Sequence, residues 1–341
     1  QSVREIPGFL SLLVVYLLIF IKEERIAVFS VAILGIGVAL TGLFPNLYGL
    51  IFTTLLMSFG FHYFETTNQS LTLQYYGVSE SPIIFGKLRS RASACNVVIG
   101  LFFLFAGTSI PFTQLYLGAG IIILIACLLL LPMNPTRPGM VPQRRQMVLR
   151  KRYWLFYLLT LLAGARRQVF IAFAVFLLVK QFNFTVPEIA GLFLLNNGIN
   201  FFLSPFIGRC IVRYGERRVL TVEYSALILI FIGYALVDNR LFVALLYILD
   251  HVFFNFSIAI RTFFQKIAEP SDIAPSMAVA FTINHIGAVI LPVLGGLLWL
   301  IDYRIPFFFG ALLCVFSLIA IQYIPGQLQQ RENQRGLGLK W

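Results

Sequence analysis

The chain predicts an all-α membrane protein, a polytopic bundle of helices that crosses the bilayer many times. Three observations carry that expectation. Hydrophobic residues make up 59% of the 341 residues and charged residues only 12%, against about 45–50% and about 25% in soluble domains; mean hydropathy is +0.87. Apolar stretches of about 20 residues, the length that spans a hydrocarbon layer as helix, recur along the whole chain. Lys and Arg gather in alternate connections between them. A transmembrane barrel would show short alternating segments instead.

The apolar runs are 6–21, 26–43, 47–75, 88–108, 112–132, 154–179, 187–207, 219–237, 241–264, 275–301 and 305–324, eleven in all. Pro45, Pro111, Pro187, Pro306 and Asp238-Asn239 mark connections on one side, and Tyr153, Trp154, Trp299 and Tyr303 stand at run ends, where amphipathic rings favour the interface. The alternate connections on the other side hold twenty of the 26 Lys and Arg, among them Lys22, Arg25, Lys87, Arg89, Arg91, Arg137, Arg217, Arg218 and Lys340; the Pro-marked side holds Arg4, Lys180, Arg240 and Arg304. Cytoplasmic loops carry the basic excess, so the C-terminus is expected in the cytoplasm and the membrane is expected to be the inner, or plasma, membrane. The net charge of +12 is therefore a topological signal and does not point to nucleic acid.

Met133 to Tyr153 is the longest connection, with Pro135, Pro138 and Pro142 and six basic residues. It predicts a basic cytoplasmic linker at 133–153. An N-terminal bundle at 1–132 precedes it, a C-terminal six-helix bundle at 154–325 follows, and a cytoplasmic tail occupies 326–341. Five runs before the linker and six after it predict that a first span is absent from this chain. Two short echoes support an internal repeat of the kind transporters use: Phe9-Leu10-Ser11 with Phe202-Leu203-Ser204, and Ala94-Cys95-Asn96-Val97-Val98-Ile99-Gly100 with Thr282-Ile283-Asn284-His285-Ile286-Gly287.

Charges inside the runs carry the functional reading. Arg166 and Arg167 stand near the middle of the run at 154–179, where each charge costs about 2.5–3.5 kcal/mol on insertion scales. Being consecutive, they point about 100° apart, so one is expected to meet substrate or an acid while the other packs toward a neighbouring span; Gly164 is a candidate bend. A guanidinium offers a fork of donors suited to carboxylate or phosphate, which points to an anionic or polyhydroxyl solute. His62, Glu65 and Gln69 are spaced to share one helix face. Asp250 aligns with Ser257 and Arg261, and His251 with Asn255; Asp250 is the expected partner of a run-154–179 arginine. Asn96, Asn196, Asn197, Asn200, Asn284 and His285 complete the polar set, the last two just before Pro292, Gly295 and Gly296. Each of these also has a structural reading, a side chain bridging two helices.

The segment Gly208-Arg209-Cys210-Ile211-Val212-Arg213-Tyr214-Gly215-Glu216-Arg217-Arg218 resembles the loop motif of the major facilitator superfamily, G-x-x-x-D-R-x-G-x-R-R, matching at Gly208, Arg213, Gly215, Arg217 and Arg218. Val212 replaces the family's acid, and the first-half copy, Lys22-Glu23-Glu24-Arg25, has no glycine. The resemblance implies two six-helix halves that rock about a central cavity lined by helices 1, 4, 7 and 10, while 3, 6, 9 and 12 face lipid. Counting the visible runs from 2, the strong polar groups fall in runs 4, 7 and 10, and run 9 carries only Glu223, close to its end.

The function expected is alternating-access transport of a small solute between the two bundles near the midplane, either coupled to protons through the histidines and acids or as facilitated diffusion. The chain is expected to be a monomer in the bilayer and not an enzyme. The four cysteines show no metal spacing and no H-E-x-x-H occurs, so neither a metal nor a cofactor is predicted. Two other classes stay open: a receptor or lipid-handling protein on the same fold, and an intramembrane enzyme holding a metal with His62, His251, His285 and a carboxylate.

Overall fold

The computed structural model describes residues 2–106, 109–133 and 140–336. Pro135, Arg137, Pro138 and Lys340, invoked above for the linker and the loop charges, lie outside the described residues, as do 337–341 of the tail. Every regular element among the described residues is helical, and ten helical segments are long and apolar enough to cross a membrane. The first apolar run is also helical but interrupted: α1 (Ser2–Phe9) and α2 (Val14–Phe20) flank a 3-10 turn at Leu10–Leu13. Then follow α3 (Glu23–Thr41), α4 (Leu47–Tyr75), α5 (Ser81–Ala106) and α6 (Phe112–Leu130). Beyond the linker come α7 (Trp154–Val169), a π-helical turn at Phe170–Ala174, α8 (Val175–Lys180), α9 (Val186–Tyr214) and α10 (Glu216–Leu236). The chain ends in α11 (Arg240–Phe254), a 3-10 turn at Asn255–Ser257, α12 (Ile258–Ile267), α13 (Ile273–Ile301), α14 (Ile305–Ala320) and α15 (Ile324–Gly336).

Local chemistry sets several of these boundaries. Thr185 and Glu188 form a reciprocal capping box at the start of α9, with Pro187 in its first turn, so two orphan N–H groups are satisfied. Asn239 caps α11 by accepting from the N–H groups of Leu241 and Phe242 at 2.9 and 3.1 Å. Glu23 opens α3, where the helix dipole favours a carboxylate; it is buried and accepts from Gln74 of α4 at 2.7 Å.

The break between α11 and α12 has a visible cause. The Asn255 amide donates to the His251 carbonyl at 3.0 Å, the acceptor its own N–H would use in an unbroken helix. That N–H turns instead to Val252 and Phe253. A side chain has competed with the backbone and won.

Two compact units make up the fold, and neither is continuous in sequence. One comprises Gln1–Tyr75, Leu101–Leu149 and Pro270–His285; the other comprises Tyr76–Gly100, Arg150–Glu269 and Ile286–Trp341. Membership changes within α5 and within α13, at the end of the repeated Asn-containing segment in the first and inside it in the second. In the first unit α3 packs on α4 and α6. Gly60 brings α4 against the backbone of Ser30 and Leu34, and Gly120 brings α6 against Ala39, the small-residue contact by which helices associate in lipid. The outer face of α6 exposes Ile121, Ile122, Ile125, Leu128 and Leu129, side chains suited to lipid.

In the second unit α5 and α9 cross where Gly86 meets Ser204 and Gly208 meets Pro82, each glycine abutting the other helix's backbone. Gly208 therefore lies inside α9, not in a loop; α9 runs on to Tyr214. The connection to α10 is one residue, Gly215, with φ 80° and ψ 160°, a region essentially reserved for glycine. Arg217 then donates twice to Gln322 at 3.1 and 2.6 Å, and Lys266 pairs with Glu216 at 2.6 Å. An open cavity of about 770 Å³ borders this turn and touches none of the mid-span polar groups.

These contacts predict that Gly215→Ala and Gly208→Leu each lower stability, by about 1–3 kcal/mol for backbone strain in the first and a similar amount for overpacking in the second. Thermal denaturation of purified protein in detergent measures both.

Candidate functional site

The polar groups singled out by sequence sort onto the two units. In the second unit, α7 buries Arg166 to 1% exposure and leaves Arg167 half-buried, as consecutive helical positions require. The Arg166 Nη2 lies 2.9 Å from Glu223 Oε1 of α10, which is fully buried. Asp250 of α11 was the expected partner. It is also fully buried and acts on the same guanidinium through space, yet Glu223 makes the hydrogen-bonded pair. Neither Asp250 oxygen has a hydrogen-bond partner among the described residues, nor do Arg166 Nε and Nη1 or the amide of Gln168. The rings of Tyr224 and Phe254 flank the guanidinium at 5.9 and 6.0 Å. One guanidinium and two carboxyl groups are thus buried in this unit, and Arg166 and Glu223 are hydrogen-bonded to each other.

Both helices that supply Arg166 and Asp250 are interrupted close by. The π turn at Phe170–Ala174 begins four residues after Arg166, and the 3-10 turn begins at Asn255, five residues after Asp250. The irregularity in the first case follows the arginines; it does not fall at Gly164, which is buried within regular α7. Inside a membrane, broken helices occur where backbone lines a cavity or is buried in protein, and π turns recur at functional sites.

A ladder of carboxamides runs beside the charges. Arg89 of α5 donates to Asn255 at 2.9 Å, Asn255 to Asn200 of α9 at 2.7 Å, and Asn96 of α5 to Asn197 at 3.0 Å. Asn196, Asn197 and Asn200 are all buried, and the Asn196 amide has no partner among the described residues. His251 packs between Phe170 and Tyr247, at 4.8 and 4.9 Å between ring centroids. Arg89 was counted above among loop charges; it sits well inside α5 and joins this network. Sequence reasoning also underrated Glu223, whose place near a run's end disguised its depth.

In the first unit, His62 of α4 and His285 of α13 meet edge to face at 4.7 Å. The His285 Nε2 lies 3.6 Å from Oε2 of Glu5 on α1. All three are buried. Glu65 is half-buried and accepts from Gln69 at 2.6 Å; Asn284 is half-buried. Along the face that His62, Glu65 and Gln69 share on α4, the histidine meets His285 and the other two pair with each other. Glu5 was not among the residues expected at a site, and His251, grouped above with the other two histidines, belongs to the other unit.

Membrane-length helices with buried charges beside interrupted segments define a polytopic membrane transporter. The chain belongs to the Major Facilitator Superfamily: the sequence model of that family matches residues 6–274. Its fold is similar to that of the human organic anion transporter MFSD10 (TETRAN), with TM-score 0.76, 12% identity, and coverage of 94% of this chain and 82% of that one. It is similar also to the transporter FucP in its outward conformation, with TM-score 0.73, 13% identity, and coverage of 95% and 88%. A variant form of the E. coli fucose:proton symporter FucP gives TM-score 0.74 at 14% identity, covering 95% and 89%. At these identities the likeness establishes fold alone. No curated protein sequence matches the chain.

The geometry predicts that Arg166→Met destabilises the protein by about 3–5 kcal/mol, because it removes the cation that pairs with the buried Glu223 carboxylate. Arg166→Met combined with Glu223→Gln recovers most of that loss. A double-mutant cycle on thermal stability in detergent measures the coupling.

Proposed function

We propose that this protein is a secondary transporter of a small polar solute, anionic or polyhydroxyl, that works by alternating access and is coupled to protons through Arg166, Glu223 and Asp250. What supports this reading is that buried trio: Arg166 hydrogen-bonds Glu223 at 2.9 Å, and Asp250 is buried in the same unit with no hydrogen-bond partner for either oxygen among the described residues. Removing ions from water costs several kcal/mol each. An ion pair offsets much of this, but the extra carboxylate has no counter-charge within the trio.

Charged, the trio needs water and holds its surroundings open. With one proton bound the trio is neutral, and the surroundings can close and dry. Proton loading thus selects which conformation is accessible, which is what coupling requires. The interrupted segments beside Arg166 and Asp250 are where the helices can change course. Arg166 keeps donors beyond its bond to Glu223, suited to a carboxylate or a set of hydroxyls. Two of the similar structures are described as an organic anion transporter and a fucose:proton symporter, one from each of those solute classes. The basic excess in alternate loops supports a cytoplasmic C-terminus and fits a protein of the inner (plasma) membrane.

A thermal-shift panel of monosaccharides and organic anions, at acid and alkaline pH, identifies a solute for flux in proteoliposomes. Wild type then accumulates it when the outside is acidified. Asp250→Asn loses gradient-driven accumulation yet retains solute exchange. Accumulation at the wild-type level in both Asp250→Asn and Glu223→Gln contradicts the coupling role.

A further inference from the structure

We propose that Glu5, His62 and His285 form a binding site for a divalent transition metal of the zinc class, distinct from the charge trio. The three residues come from α1, α4 and α13 and lie in one compact unit. Each offers a ligand atom, and these atoms all lie within 4.8 Å of one another. Their exposures are 2%, 4% and 1%. Such a cluster within a membrane-spanning bundle is costly to assemble, and burial on this scale separates it from the scattered surface groups that pick up ions adventitiously.

The orientation of His285 points the same way. Its Nδ1 lies 2.7 Å from the Phe281 carbonyl. A carbonyl only accepts, so Nδ1 carries a proton, and Nε2 is the nitrogen turned toward Glu5 Oε2, 3.6 Å away; deprotonated, it offers its lone pair to a metal. Metal-binding histidines characteristically donate their second N–H to a backbone carbonyl in this manner. Two ligands on one tetrahedral zinc, with bonds of about 2.0–2.2 Å, stand about 3.3–3.5 Å apart, so a shift of a few tenths of an ångström brings the observed pair into range. Two imidazoles and a carboxylate suit zinc and its neighbours, whereas magnesium and calcium favour all-oxygen sites. Three protein ligands also leave a fourth position for water or solute.

The surroundings hold the ligands in place. Gly8 makes room for the imidazole: a Cβ there would come closer than 3.0 Å to the ring of His285. Phe281 stacks on His285 at 4.7 Å. Ser58 of α4 donates to the Arg4 carbonyl, and the Leu12 N–H donates to Thr282 of α13 at 2.8 Å, so the three segments are tied together independently of any metal. A bound ion then fastens them further. Metal binding here is independent of the transport reading and is measured without flux.

The full chain, purified in detergent and stripped with chelator, is titrated with Zn²⁺ and with Co²⁺. Wild type is expected to take up one ion per chain, to gain thermal stability with rising Zn²⁺, and to give a Co²⁺ visible absorption of the tetrahedral type that Zn²⁺ displaces. His62→Ala, His285→Ala and Glu5→Gln each weaken binding by more than the roughly 10–100-fold that loss of an outer partner costs, while His251→Ala leaves the stoichiometry unchanged. The Co²⁺ spectrum of wild type stands even where a variant fails to fold. Absence of that spectrum, or Zn²⁺ uptake that persists in His62→Ala/His285→Ala, overturns the proposal in favour of adventitious binding.

Discussion

The fold has to accommodate an ion pair, Arg166 with Glu223, in the interior of a membrane-spanning bundle. Lipid offers no solvent for either charge, so α7 and α10 must deliver both partners to one place at hydrogen-bonding distance. Much else follows from that constraint. The rings of Tyr224 and Phe254 wall the guanidinium, and Asp250 is a second buried carboxyl in the same unit. The helices then lose regularity just beyond these residues, at Phe170–Ala174 and Asn255–Ser257. Elsewhere in the unit, at the α5–α9 crossing, Gly86 and Gly208 let two backbones touch.

Much of this was legible in the sequence. Apolar runs of bilayer length give the helices directly, since only helices satisfy the backbone inside lipid. A charge within such a run announces itself, which is why Arg166, Arg167, Asp250 and the histidines stood out. None of these mid-span groups is turned out to the surface: Arg166 and Asp250 are buried, and Glu65 and Arg167 are half-buried.

What the sequence hid has two physical causes. Helices extend past the apolar run into polar residues, so depth is misjudged at the ends. The run at 88–108 becomes a helix from Ser81, which puts Arg89 two turns inside. The run at 187–207 continues to Tyr214 and absorbs Gly208. Glu223, near the start of the run at 219–237, belongs to a helix that begins at Glu216. The second cause is long-range pairing. Period and spacing tell which residues share a face of one helix, but not which face meets which neighbour. Glu5, His62 and His285 are therefore invisible as a group until the fold assembles them, whereas His251 belongs to the other unit.

The proposed coupling turns on whether one proton resides on the buried trio. Infrared difference spectroscopy of the purified protein between alkaline and acid pH reads this directly, because a protonated carboxyl has its own C=O stretch. A titrating carboxyl band present in wild type and absent from Asp250→Asn is the predicted result. The same carboxyl difference spectrum in both proteins, with Asp250→Asn properly folded, would contradict it.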